Sequence, residues 1–133
     1  MSETKRARIY VNRWFAKFAA KEKIGNDALC EAVRRAEGGL VDADLGSRLV
    51  KHRVAQEGSG KSGSYRALIF FRSGERAVFA YGFAKKDRAN LACEELATFR
   101  KAAKIILALS DREIAAELAA ERLKEICCGG EDL

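Results

Sequence analysis

The stretch Leu49-Val50-Lys51-His52-Arg53-Val54-Ala55-Gln56, then Glu57-Gly58-Ser59-Gly60-Lys61-Ser62-Gly63-Ser64, then Tyr65-Arg66-Ala67-Leu68-Ile69-Phe70-Phe71-Arg72 reads as strand, loop, strand. Branched and aromatic residues crowd the two flanks, while Gly, Ser and one Lys fill the middle, as a turn-rich connection between pleated segments requires. Alternation along the first flank sends Lys51 and Arg53 to one face and Val50, His52 and Val54 to the other. The second flank places Arg66 next to its start. Cations on defined strand faces are the first hint of a site.

Outward from this stretch, Ser73-Gly74 marks a tight turn into a third strand over residues 77–84, so the three strands form an antiparallel meander. Residues 67–71 and 77–83 are apolar on both faces, as expected if helices cover part of the sheet. Toward the N-terminus, Ile9 and Val11 mark a short edge strand over residues 7–11. Asn12 then caps a helix whose stripe is Trp14, Phe15, Phe18 and Ala19, ending near Ile24-Gly25. Asn26 or Asp27 opens a second helix with Leu29, Ala32, Val33 and Ala36 at helical spacing, closed by Gly38-Gly39. Two antiparallel helices of this kind make an N-terminal helical hairpin, and residues 40–46 are a loop.

Toward the C-terminus, Ala92, Leu96, Phe99, Ala103 and Ile106 predict a helix over residues 89–109. Ser110 followed by Glu113 is a capping box. It opens a final helix through Ile114, Leu118 and Leu123 that ends before Gly129-Gly130. The order β-α-α-β-β-β-α-α is an α+β fold, an antiparallel or mixed sheet with the helical hairpin and the C-terminal helices packed on it. With 133 residues, no proline, no repeat and no low-complexity tract, residues 1–133 read as a single domain.

The formal net charge of +6 suits a polyanionic partner such as nucleic acid, because neutralising phosphates releases counterions. No apolar run approaches the roughly 20 residues of a membrane span. The charged start, without an apolar segment behind it, excludes a secretory signal and predicts a cytoplasmic protein. Cys30, Cys93, Cys127 and Cys128 show no metal-ligand spacing. Cys30 and Cys93 fall on apolar helical faces, as reduced buried thiols do, and Cys127-Cys128 falls in a frayed tail.

Residues 58–63, Gly-Ser-Gly-Lys-Ser-Gly, imitate a phosphate loop. The full pattern needs glycine at position 55, where Ala stands, and a helix after the Lys-Ser, where a strand begins. The loop reads instead as a hairpin connection whose Lys61 and backbone amides touch a phosphate. One histidine and no nucleophile elbow exclude a hydrolase triad. His52 shares its face with Val50 and Val54, the position of a semi-buried, satisfied side chain more than of a catalytic one. Lys51, Arg53 and Arg66, with Lys85, Lys86 and Arg88 after the third strand, converge at one end of the sheet if the strands pair in sequence order. The alternative is scattered surface charge.

Three segments carry a family resemblance: Lys51-His52-Arg53-Val54; Gly60-Lys61-Ser62-Gly63-Ser64-Tyr65-Arg66; and Val78-Phe79-Ala80-Tyr81-Gly82-Phe83-Ala84-Lys85-Lys86-Asp87-Arg88-Ala89-Asn90-Leu91. Together they resemble the RelE/ParE superfamily of type II toxins, nearest its HigB-like, phage-derived branch, over about residues 15–118. The resemblance implies a RelE-like fold and a toxin that cleaves mRNA in the ribosomal A site without cofactor or metal. By motif position, Lys51, Arg53, Arg66 and Lys86 would be its catalytic set. Arg53 and Arg66 would clamp phosphate and Lys51 or Lys86 would act as base. Lys61, Tyr65, Lys85, Arg88 and His52 would contact RNA. RelE carries a tyrosine on its last helix where this chain has Ala92. ParE relatives inhibit DNA gyrase without cutting RNA, so a gyrase inhibitor, or an inactive prophage-derived homologue that still binds its antitoxin, is the alternative. The implied partners are the ribosome, mRNA and a HigA-like helix-turn-helix antitoxin.

Overall fold

The structure is a computed structural model that describes residues 6–55, 65–84 and 91–128. Its elements run β1 (Arg8–Asn12), α1 (Arg13–Glu22), α2 (Asn26–Glu37), β2 (Ala43–Asp44), β3 (Leu49–Val54), β4 (Tyr65–Arg72), β5 (Arg76–Ala84), α3 (Cys93–Leu107), α4 (Asp111–Ala119) and β6 (Leu123–Ile126). The strands form one six-stranded mixed sheet in the order β2-β3-β4-β5-β1-β6. The expected meander is its centre: β3 pairs antiparallel with β4, and β4 with β5. A register shift between Leu68 and Ile69 leaves Ala80 as the extra residue of a bulge, so the side-chain faces of β5 change phase there.

Two apolar layers clothe the sheet, one on each face. On one side Phe15 and Ala19 of α1 and Leu29, Ala32 and Val33 of α2 pack on Ile9, Val11, Val50, Val54, Ile69 and Phe79. On the other side Ala103 and Leu107 of α3 and Ile114 of α4 pack on Tyr10, Leu49, Leu68, Phe70 and Val78. The caps are local and legible. The Asn12 side chain accepts from the Phe15 amide at 2.8 Å. Ser110 and Glu113 exchange both bonds of the capping box, at 3.1 and 2.7 Å.

Four expectations change. β1 is not an edge strand but lies between β5, to which it runs parallel, and β6. The last helix ends at Ala119, and Glu121 with φ 61° turns the chain into β6. Leu123 and Ile126 are three apart, as on a helix, yet in β6 they enter opposite apolar layers. α1 ends at Glu22, close to the expected Ile24-Gly25, but its left-handed closing residue is Lys23 rather than the glycine. Finally, Cys30 and Cys128 form a disulfide between α2 and the segment after β6, while Cys93 and Cys127 are free and exposed.

Glu37, at the end of α2, ties three segments together. Its carboxylate accepts from the Ala7 amide at 2.7 Å, from the Ser73 hydroxyl at 2.7 Å and from the Gly74 amide at 3.1 Å. The β4–β5 turn is thereby fixed to the entrance of β1. No described helix is long and apolar enough to cross a membrane.

Candidate nucleic-acid interface

Strand pairing decides which of the sequence-derived residues meet. Arg53 and Arg66 are direct partners across β3 and β4, and Lys51 lies two residues from Arg53 on the same face, opposite Leu68. This is the α3 side of the sheet, since Leu49 and Leu68 on the same alternation belong to the layer under α3. Arg53 is exposed and Lys51 half-buried. Only 12% of the Arg66 side chain is exposed.

Like charges placed directly opposite in a sheet oppose pairing by a few tenths to about 1 kcal/mol. An acidic residue offsets one of them here. Asp42 Oδ2 lies 2.9 Å from Arg66 Nε. β2 supplies the register that makes this possible, because Ala43 pairs with Lys51 and so brings the preceding Asp42 beside the cationic strand. Arg66 Nη1 is buried and has no hydrogen-bond partner among the described residues. Sequence reading had placed Asp42 in a plain loop. The signal was an acidic pair, Asp42 and Asp44, directly before a basic strand.

His52 and Tyr65 point to the other face. His52 is 3% exposed, and neither ring nitrogen has a hydrogen-bond partner among the described residues. The semi-buried, satisfied histidine read from the sequence is therefore deeply buried and unsatisfied. Tyr65 is also buried, and its hydroxyl donates to Glu22 Oε1 at 2.6 Å. Lys61, Lys85, Lys86 and Arg88 lie outside the described residues. Ala92 is the N-cap of α3, with its amide donating to Glu95 at 2.9 Å.

Burial holds the His52 imidazole below its ordinary value of 6.5; Asp42 pulls the other way, and Arg35, Arg53 and Arg66 add to the lowering. The unfolded chain takes up this proton before the folded one does. Stability is therefore full above the unfolded value and lost as pH falls through and below it. Thermal melts at about pH 7.5 and about pH 5.5 should show a lower midpoint at the acid end. His52→Leu should shrink that difference. Equal differences in both proteins would mean that His52 is not its source.

No curated relative and no solved structure matches the chain. A family description does match: RelE toxin of the RelE/RelB toxin-antitoxin system, over residues 7–126. That span runs from the entrance of β1 to the last residue of β6 and so includes every strand of the sheet and the Lys51, Arg53 and Arg66 face. The chain belongs to the RelE toxin family, whose members are the toxin half of a toxin-antitoxin pair, and an antitoxin partner follows from that membership.

Proposed function

We propose that the chain, acting as a single domain, is a ribosome-dependent mRNA endoribonuclease of the HigB-like branch, working in the cytoplasm and held in check by a HigA-like helix-turn-helix antitoxin. The observation that carries this reading is the direct opposition of Arg53 and Arg66, with Lys51 alongside. Opposed cations weaken a sheet, and they find a purpose when an anion lies between them.

Two guanidinium groups can fork onto the non-bridging oxygens of one phosphate. They would hold it in line for attack by the neighbouring 2′-oxygen and stabilise the charge that builds on phosphorus. Lys51, in its neutral amine form, would take the 2′-hydroxyl proton. The 2′-O–P bond forms as the P–O5′ bond breaks, leaving a 2′,3′-cyclic phosphate, and the departing 5′-oxygen takes a proton from water. Lys86 completes the proposed catalytic set. Lys61, Tyr65, Lys85 and Arg88 remain proposed RNA contacts, with Tyr65 reached at the cleft beside α1, whereas His52 is buried too deeply to touch RNA.

Primer extension on mRNA translated in a purified system tests this. Wild-type protein should produce breaks at ribosome-occupied codons, and Arg66→Ala should reduce their rate by about 100-fold or more, the usual loss when one transition-state donor is removed. Arg53→Ala should lose activity while its stability stays level or rises by a few tenths of a kcal/mol, because an opposed like charge is gone. Folded wild-type protein that leaves translated mRNA intact would overturn the proposal.

A further inference from the structure

A second concavity lies at the flank of the sheet, where α1 crosses the end of β5. The last β1–β5 pair is Val11 with Phe79, so the end of β5 runs on without β1 beside it. α1 leans over this flank and leaves a cleft of about 680 Å³. Its walls are aromatic. Trp14 stacks on Phe18 at 5.2 Å and 17°, and meets Tyr81 at 4.5 Å. Phe18 meets Tyr65 edge-on at 5.6 Å. Gly82 makes this approach possible, because a Cβ there would sit 2.5 Å from the Phe18 ring.

Two features distinguish this cleft from a stray gap in the core. Trp14 is 45% exposed although three rings of the cluster around it are half-buried or buried. Lys17 and Lys21 line the cleft and are exposed, one turn apart on α1. Their spacing, roughly 5–6 Å at Cβ, is of the order of that between successive phosphates. An open aromatic platform bordered by cations at backbone spacing is how proteins hold single-stranded nucleic acid. Its one lining carboxylate, Glu22, accepts from the Tyr65 hydroxyl.

We propose that this cleft binds single-stranded RNA, with one base stacked on Trp14 and flanking phosphates on Lys17 and Lys21. The inference rests on the RNA reading above and extends it. Tyr65 lines the cleft and its neighbour Arg66 belongs to the cation face, so a strand bent round that end of the sheet reaches both. A peptide partner would be chosen by the rings alone. The paired lysines favour a polyanion.

Trp14 is the single tryptophan of the chain, so its emission reports on this cleft alone. Titration with a uridine heptamer, without ribosomes, should quench that emission. Lys17→Ala/Lys21→Ala should weaken binding and flatten the slope of log affinity against log salt by about 1.4, the value for two phosphate contacts on a single strand. Followed by anisotropy of a labelled heptamer, Trp14→Ala should bind roughly tenfold more weakly, the loss of one base stack, and Trp14→Phe should recover most of it. Thermal melts establish that each variant is folded. Binding of the heptamer with unchanged tryptophan emission would overturn the proposal. So would wild-type affinity in both the lysine and tryptophan variants, or quenching by an acidic heptapeptide and not by RNA, which would assign the cleft to a protein. Cleavage by Arg66→Ala on ribosomes is read separately, so failure of the cleft and failure of the reaction are distinguishable.

Discussion

Phe15→Ala is expected to lower the free energy of unfolding by about 3–5 kcal/mol, the range for deleting a buried aromatic ring. Phe15 is 0% exposed, on the face of α1 that meets the sheet. Its ring lies 5.1 Å from that of Phe79 on β5 and 5.6 Å from that of Phe18. It also sits against Gly82, 3.1 Å from where a Cβ would be. Removing it leaves a void bounded by a strand in the middle of the sheet and by a helix held at its start by Asn12, so neither wall can readily close the gap. Domains of this size are stable by roughly 5–15 kcal/mol in total, and the variant would retain little. Urea denaturation should show a fall in midpoint with an unchanged slope. A loss below about 1 kcal/mol would contradict the packing of α1 on β5 described here.

The second large effect concerns the disulfide. Cys30 and Cys128 are 98 residues apart in sequence. Closing a loop of about 100 residues removes unfolded-state entropy equivalent to roughly 4.7 kcal/mol in the chain-entropy model, and native disulfides contribute about 2–5 kcal/mol in practice. Cys128→Ser should therefore fall in stability by an amount in that range. Reductant should bring the wild-type protein down to the level of the variant and leave Cys128→Ser itself unmoved. Wild-type protein with the same denaturation midpoint in the presence and absence of reductant would refute the assignment.

The parts of the fold that could be read from the sequence are those set by neighbours in the chain. Asn12 and the Ser110–Glu113 pair cap helices through bonds spanning three residues, and Ser73-Gly74 turns one strand onto the next. The parts that could not be read depend on distant partners. Nothing near Ile9 says that β5 will lie on one side of it and β6 on the other. Leu123 and Ile126 carry a helical spacing because each serves a different apolar layer. Cys128, beside two glycines, resembles a tail residue until β6 brings it to α2.

The candidate site divides in the same way. Alternation along β3 suffices to put Lys51 and Arg53 on one face and His52 on the other. The opposition of Arg53 and Arg66 needed the register of β3 with β4, and the counter-charge of Asp42 needed the short pairing of β2. The cleft under α1 left still less trace. Trp14 and Phe18 read as one apolar stripe of a helix, and only the glycine at position 82 and the departure of β1 from the edge of β5 make part of that stripe a surface.

The position of β1 also governs the order in which the molecule can be assembled. β3, β4 and β5 follow one another in sequence and can pair as soon as they exist. β1 must wait for β5, and the strand that closes its other side arrives last. The Arg8 guanidinium and the Glu125 carboxylate that clasp β1 to β6 are 117 residues apart. Contacts between such distant segments slow folding, since the chain loses the entropy of a long loop before any contact repays it. A chain in synthesis carries a finished meander and a first strand open on one side until Ile126 has been made. The whole sheet, and with it the cationic face and the aromatic cleft at its flank, cannot be complete before β6 has been made.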